Sequence, residues 1–203
     1  MVRAHRPSAV ALAVGLWALV ASAEPGAEAT PSTKRRAPER YQVATEHVST
    51  RAGAARVHVA APVSEVRKVV ADFKSYAKLI PKFEKAKVVG RHGNATDVYL
   101  QVPILNGAAK VWAVVRFEPF RTIEGEERLE GRMREGNLRR LDARWRLEKI
   151  DEANTQLSLE LLIVPKLPVP GSVLTKQAAY AADEAVRGCR SRAENDWARR
   201  KRK

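Results

Sequence analysis

The feature that most constrains the fold is a run of segments with a two-residue period between residues 85 and 164. Two of these segments, 137–149 and 155–164, place apolar residues at every second position over 141–147 and 157–163, with mainly polar or charged residues between them. This pattern is typical of strands that have one face in a core and the other in water. Asn106–Gly107, between two further segments, is a dipeptide that favours tight hairpin turns. The run therefore predicts consecutive antiparallel strands in one sheet.

Helical segments flank this run on both sides. Pro62 stands at the start of a segment whose valines share one helical face, where a proline costs no hydrogen bond, and a second short turn ends before Pro81. Beyond the proline-rich segment 165–171, residues 172–197 contain no proline and keep their apolar residues at helical spacing. One antiparallel sheet with helices on one side is an α+β architecture.

The first 23 residues predict export. Arg3 and Arg6 precede an uncharged apolar stretch, 9–20, and the small residues Ala21, Ser22 and Ala23 follow it. A basic start, a short apolar centre and an A-x-A exit are typical of a secretory signal peptide. An uncleaved anchor is the alternative, although the stretch lies at the short limit of a membrane span. We expect removal of residues 1–23 and a periplasmic or secreted protein.

The remaining chain divides into a leader, one domain and a tail. Residues 24–44 are rich in proline, alanine and charged residues and predict a disordered leader, residues 45–197 the folded domain, and residues 198–203 a basic tail. The net charge is +14, but residues 57–186 carry only +4 of it. The excess therefore lies mainly at the chain ends, and for an exported protein we expect no nucleic acid partner. Peripheral contact of the tail with an anionic membrane is one interpretation, and a solvated terminus is the other.

The sequence offers little for catalysis. Its four histidines, at positions 5, 47, 58 and 92, have neither metal-ligand nor catalytic-triad spacing. The single Cys189 can form no disulfide within the chain. Glutamates between residues 124 and 130 are interleaved with arginines, a pattern that favours solvated ion pairs on a strand face. We therefore expect no catalytic residue, no metal and no cofactor.

The opening of the domain resembles the START-like or SRPBCC superfamily. Residues 61–66 read aPv-x-x-V, and Asp72, Tyr76 and Pro81 keep the spacing of the motif D-x-x-x-Y-x-x-x-x-P. Within the superfamily the chain most resembles the polyketide cyclase/dehydrase and lipid-transport group, which includes the coenzyme Q-binding proteins, over about residues 45–195. The resemblance implies a helix-grip (START-like) fold, in which a curved antiparallel β-sheet wraps around a long C-terminal α-helix. It also implies a cavity between them that receives an apolar ligand.

The residues are compatible with such a cavity. The inward face of the terminal helix carries small side chains, which either bring the backbones close together or leave space opposite the larger apolar residues of the sheet. Tight packing without a pocket is thus the alternative. The candidate cavity residues are Phe73, Tyr76, Ile80, Leu100, Trp112, Arg139, Trp145, Leu159, Ala178, Ala181 and Ala185.

Two of these candidates have a second interpretation. Tyr76 is either part of a gate over the cavity, with Phe73 and Ile80, or an anchor that fixes its short helix to the sheet. Arg139 shares the Leu141 side of its strand and is either a charged group at the cavity rim or a strand-end arginine that reaches water.

These observations predict an exported, non-catalytic binding protein that holds a hydrophobic small molecule, either a lipid or an isoprenoid quinone, for carriage or sequestration. The mostly aliphatic inward faces suit binding better than acid–base chemistry. One alternative is an enzyme of the polyketide cyclase or dehydratase type. Another is an interaction module that uses the basic tail on a membrane or partner. A monomer is the expected oligomeric state.

Overall fold

The computed structural model describes residues 36–45, 50–81, 83–104, 109–166 and 169–202. The predicted signal peptide, most of the predicted leader and the Asn106–Gly107 turn lie outside the described residues.

The described residues form nine strands and three helices, with a 3₁₀ turn at Phe73–Ser75. In chain order these elements are β1 (Glu39–Val43), β2 (Ala52–Val59), α1 (Val63–Val70), α2 (Tyr76–Leu79), β3 (Lys85–His92), β4 (Ala95–Ile104), β5 (Ala109–Phe117), β6 (Arg121–Ile123), β7 (Glu126–Gly136), β8 (Leu138–Lys149), β9 (Thr155–Pro165) and α3 (Gly171–Lys201).

All the strand pairs are antiparallel, in the order β1-β2-β9-β8-β7-β5-β4-β3, and β6 pairs with β7. The 31-residue helix α3 lies against β2 and β9 on one face of this sheet. We call that face the inner face and the opposite one the outer face. The predicted α+β helix-grip fold is confirmed. None of the described helices is long and apolar enough to cross a membrane.

Two glycines set how closely α3 packs. A Cβ atom on Gly53 in β2 would collide with backbone atoms of Thr175 and Ala179, so the first turns of α3 rest directly on this strand. A Cβ atom on Gly188 would collide with the carbonyl oxygen of Leu79 at the end of α2. Because glycine has no side chain, it allows both close approaches. Helix α3 is therefore held against β2 near its start and against α2 farther along.

The structure corrects two of the predicted boundaries at the ends of the domain. Strand β1 lies inside the predicted leader, 24–44, and pairs with β2 through all five of its residues. Its charged sequence has no clean alternation, and pairing with β2 supplies the hydrogen bonds that the sequence pattern does not reveal. Helix α3 continues to Lys201 instead of ending at Trp197.

The predicted tail is therefore largely helical. Arg199 pairs with Asp196 one turn earlier, and Arg200 pairs with the buried Glu65 of α1. Lys201 lies over the ring of Trp197. Two of these contacts lie within α3 and support its last turn, and the pair of Arg200 with Glu65 ties that turn to α1.

A third boundary changes in the middle of the sheet. The sequence predicts a single strand over 122–131, which follows the break at Pro119, but Glu124 and Gly125 have positive φ angles of 52° and 82° and form a turn between β6 and β7. Positive φ at two successive residues is typical of a two-residue hairpin. The sequence hides this turn because Glu124 is not a residue that favours such a conformation.

Strand β3 forms one edge of the sheet. Lys85 and Lys87 are exposed along it, and its pairing register with β4 shifts between Val88 and Gly90. This irregularity leaves the side chain of Val89 55% exposed. The edge is therefore charged and locally irregular.

Candidate ligand-binding site

Aromatic side chains fill one half of the inner face, and we call it the packed half. Phe73 stacks on Phe117 with ring centroids 4.6 Å apart, and it meets the edge of Tyr76 at 5.5 Å. Tyr76 in turn lies 6.5 Å from Trp145 of β8. The short segment between α1 and β3 carries Phe73 and Tyr76 into this position, which leaves little space between the helices and the sheet here.

The hydroxyl group of Tyr76 donates a hydrogen bond to the carbonyl oxygen of Val70 at 2.6 Å. This contact ties α2 to the end of α1, a position suited to anchoring. Burial is the main reason that the pKa of Tyr76 is well above its usual value. Burial also raises the pKa of the neighbouring Cys189 thiol to about 12. Both groups stay neutral near pH 7 and contribute packing to the core.

The other half of the inner face is covered incompletely. Apolar side chains on β4, β7, β8, β9 and α3 are only half-buried here, and we call them together the open groove: Leu100, Met133, Leu141, Leu161, Leu174 and Ala181. Helix α3 rests on β2 and β9, at one side of the sheet, and α2 approaches α3 closely at Gly188. The inner face of β4 and β7 beyond that contact therefore keeps part of its apolar surface exposed.

The chemistry of the open groove is uniform. The six side chains that define it are all apolar, and none of them carries a titratable group. Such a surface recognises apolar area and shape. Within the described ranges, moreover, no cluster of histidine, cysteine and acidic side chains could hold a metal ion.

A separate cleft of about 310 Å³ lies where α1 ends, and we call it the α1-end cleft. Its walls include the rings of Phe73, Phe117 and Phe120. Polar and charged side chains surround this aromatic floor: Asp72, Lys74, Arg91, Asn94, Thr96 and Glu118. The α1-end cleft is therefore amphipathic, unlike the open groove.

The predicted cavity residues divide into three groups. Leu100 and Ala181 belong to the open groove. The largest group is buried in the core: Phe73, Tyr76, Ile80, Trp145, Leu159, Ala178 and Ala185. Of these, Phe73 also lines the α1-end cleft. Trp112 and Arg139 form the third group, which lies away from the inner face.

The placement of Trp112 corrects the prediction. Its neighbour Ala113 is buried on the inner face, so the alternation of β5 turns Trp112 to the outer face. There it stacks on Tyr99 with ring centroids 5.9 Å apart. The sequence alone could not tell which of two alternating apolar sets on β5 faces the core.

The placement of Arg139 is a second correction. The pairing of β8 with β9 shifts between Leu138 and Arg140, and this bulge takes Arg139 out of the alternation that it was expected to share with Leu141. Its side chain is exposed and donates to the carbonyl oxygen of Lys166 at 3.4 Å. A bulge adds one residue to a strand and so reverses which face a neighbouring side chain takes.

Four residues of the open groove were not among the candidates: Met133, Leu141, Leu161 and Leu174. Their alternation or helical spacing places them toward the interior. Only the tertiary structure, however, distinguishes half-buried positions from the fully buried ones on the same strands.

Solved structures share this fold. A START superfamily protein from Mycobacterium smegmatis is 20% identical, covers 70% of this chain and 96% of its own, and superposes with a TM-score of 0.60. A STAR-related lipid transfer protein from Xanthomonas axonopodis is 13% identical, covers 77% and 93%, and gives a TM-score of 0.64. The Zhui aromatase/cyclase from Streptomyces sp. R1128 is 20% identical, covers 80% of this chain and 96% of its own, and gives a TM-score of 0.52.

At these identities the likeness is one of fold. No curated protein matches the chain in sequence. Residues 59–189, which run from the end of β2 into α3, match the family described as polyketide cyclase/dehydrase and lipid transport. The chain therefore belongs to the polyketide cyclase/dehydrase and lipid transport family.

Proposed function

We propose that this protein is exported and holds a hydrophobic small molecule, a lipid or an isoprenoid quinone, in the open groove without catalysing a reaction on it. The observation that carries the proposal is the half-buried apolar surface of the open groove beside a fully packed core. Exposed apolar surface costs about 25 cal/mol per Å². An apolar ligand in the groove would remove this cost.

The chemistry of the groove favours binding over catalysis. General acid–base catalysis needs a titratable group within hydrogen-bond reach of the reacting atoms, and the groove residues supply none. The family description includes lipid transport, and one protein of the same fold is a STAR-related lipid transfer protein. Both facts support a carrier or a sequestering protein.

Native mass spectrometry of the gently purified chain tests the proposal. We expect a co-purifying lipid or quinone, or binding of added oleic acid or decylubiquinone. Ala181→Phe places a ring in the groove and should weaken binding by roughly tenfold or more. Ala198→Phe, on the exposed side of the same helix, is the matched control and should bind like the unmodified chain. Equal affinities of the two variants, or no binding of either probe to the unmodified chain, would contradict the proposal.

Export is tested separately. Expression of the full chain with a C-terminal tag in a Gram-negative host should give a periplasmic protein whose first residue is Glu24. A cytoplasmic product that begins at Met1 would refute export and leave the binding proposal intact.

The α1-end cleft favours a second candidate, an enzyme of the cyclase or dehydratase type. Asp72, Lys74 and Glu118 stand beside an aromatic floor, an arrangement that could orient an enolisable substrate. Turnover of a synthetic polyketide-like thioester, lost in Asp72→Asn or Glu118→Gln but kept in Ala181→Phe, would establish this candidate and displace our proposal.

A further inference from the structure

A groove of about 380 Å³ lies on the outer face of the sheet, between β5, β6 and β7. We call it the arginine groove. Five arginines line it together with two glutamates, one isoleucine and one proline: Arg116, Arg121, Arg128, Arg132, Arg134, Glu118, Glu130, Ile123 and Pro119. The lining contains no aromatic side chain. We propose that this groove binds a small anion that carries several phosphate groups.

The strand register supports this inference. Arg121 lies directly opposite Arg128, Arg128 lies opposite Arg146, and Arg116 lies opposite Arg132. Like charges that face each other across neighbouring strands destabilise a sheet. The sheet nevertheless keeps three such pairs side by side. One member of each pair already has a carboxylate partner, as Arg146 has in Glu160 at 2.9 Å. A bound anion would offset the charge that Arg121 and Arg132 add.

The five arginines are not equally neutralised. Arg116 is engaged by Asp97, which accepts two hydrogen bonds of 2.7 Å from its guanidinium group. Arg128 pairs with Glu126 at 3.2 Å and with Glu124 at 3.7 Å. These two side chains therefore have carboxylate partners and form the fixed part of the groove.

The other three arginines, Arg121, Arg132 and Arg134, have weaker carboxylate partners or no close one. Arg132 reaches Glu130 only at 3.7 Å, and Glu130 is shared with Arg144 at 3.1 Å. Arg121 and Arg134 are exposed, and within the described ranges neither forms a close ion pair, although the charge of Arg134 helps to lower the pKa of Asp97. Three guanidinium groups are thus available to a ligand. Each presents a planar fork of donors that matches a phosphate group.

The shape of the groove favours a discrete anion. Nucleic acid bases would find no aromatic side chain for stacking. The volume suits a small molecule, and sites of about 300 Å³ upward are typical of such ligands.

Calorimetry with inositol hexakisphosphate and with pyrophosphate tests the proposal. The unmodified chain should bind at least one probe, and the affinity should fall as salt rises. The variant Arg121→Gln/Arg132→Gln/Arg134→Gln should lose roughly tenfold or more in affinity. The variant Arg51→Gln/Arg187→Gln/Arg202→Gln loses the same charge outside the groove and should stay within about twofold. Equal losses of affinity in the two variants would show that binding depends only on the net charge of the chain and would overturn the proposal.

Two further measurements keep the result interpretable. The groove variant should melt at the same temperature as the unmodified chain or higher, because cross-strand repulsion is reduced, so a loss of binding cannot be ascribed to unfolding. Sedimentation with phosphatidylglycerol vesicles distinguishes the source of the phosphate. Vesicle binding that requires the three arginines, without binding of either soluble probe, would overturn the proposal in favour of a membrane surface.

Discussion

The two halves of the inner face are built by the same strands and differ in what packs on them. On β8, Leu147 in the packed half is fully buried, whereas Leu141 in the open groove is half-buried. The segment between α1 and β3 supplies Phe73 and Tyr76 to the first half and ends before it covers the second. The strand sequences therefore do not decide which half is core and which is open. A short connecting segment decides it.

The largest contrast should appear in thiol reactivity. Cys189 is fully buried in the packed half and its pKa is raised to about 12, so a thiol reagent should modify it only after unfolding. A cysteine introduced by Ala181→Cys in the open groove, in a Cys189→Ala background, should react at least about a hundredfold faster at pH 8. Similar rates at the two positions would mean that the halves do not differ in accessibility.

Matched truncations on β8 compare the two halves energetically. Leu147→Ala should lower the free energy of unfolding by about 3 kcal/mol, because it leaves a cavity in a fully packed region. Leu141→Ala should cost about 1 kcal/mol, since half of that side chain is already exposed. Urea denaturation of both variants measures the difference. A larger cost at Leu141 would remove the basis for calling its surroundings open.

The contact between α2 and α3 closes the packed half, and one methyl group should disturb it. Gly188→Ala places a Cβ atom against the Leu79 carbonyl and should destabilise the protein by about 2 kcal/mol. Gly90→Ala is the control, because a Cβ atom there meets its nearest neighbour at 3.6 Å, an ordinary distance. Thermal unfolding followed by circular dichroism compares them, and equal melting temperatures would contradict the close approach.

The buried thiol also predicts a pH dependence. The folded pKa of Cys189 is raised to about 12, whereas an unfolded chain ionises its thiol near pH 8.5. The stability that this difference contributes is complete below about pH 8.5 and is lost as the pH rises. Between pH 8 and pH 10, the unmodified chain should therefore lose between about 1 and 2 kcal/mol more than Cys189→Ala. Parallel losses in denaturant titrations would show that Cys189 is less buried than described.

The smallest effect is expected at the end of α3, outside both halves. Arg200→Ala removes the partner of Glu65, but Lys68 still pairs with that carboxylate at 3.0 Å. We expect a loss of about 0.5 kcal/mol, as for other half-exposed ion pairs. A loss of several kcal/mol in chemical denaturation would make the tail a structural part of the domain.

The sequence predicted the fold better than the site, and the reason is physical. Alternation and helical spacing report which face of an element is apolar, and this was enough for the order of strands and helices from β2 to α3. The sequence pattern did not predict strand β1, because the stability of this strand comes from pairing with β2. The sequence did not predict the turn at Glu124, because a non-glycine residue adopts a positive φ angle there.

The site depends on distances that no local pattern encodes. Ala178, Ala181 and Ala185 share one helical stripe, yet only Ala181 is half-buried. Ala178 is covered by β2 at Gly53, a close approach that helical spacing does not encode. Arg139 was placed on the wrong side by a single bulge. Trp112 was placed on the wrong face because both alternating sets of β5 contain large apolar residues.

The irregular edge at β3 has a consequence for how copies of this protein meet one another. An exposed sheet edge offers unpaired backbone groups that a second chain can join, and lysines or bulges on the edge oppose such strand addition. Lys85, Lys87 and the register shift beside Val89 supply both devices on one strand. The sheet can therefore stop at β3 without a partner strand, which keeps it from serving as a template for aggregation.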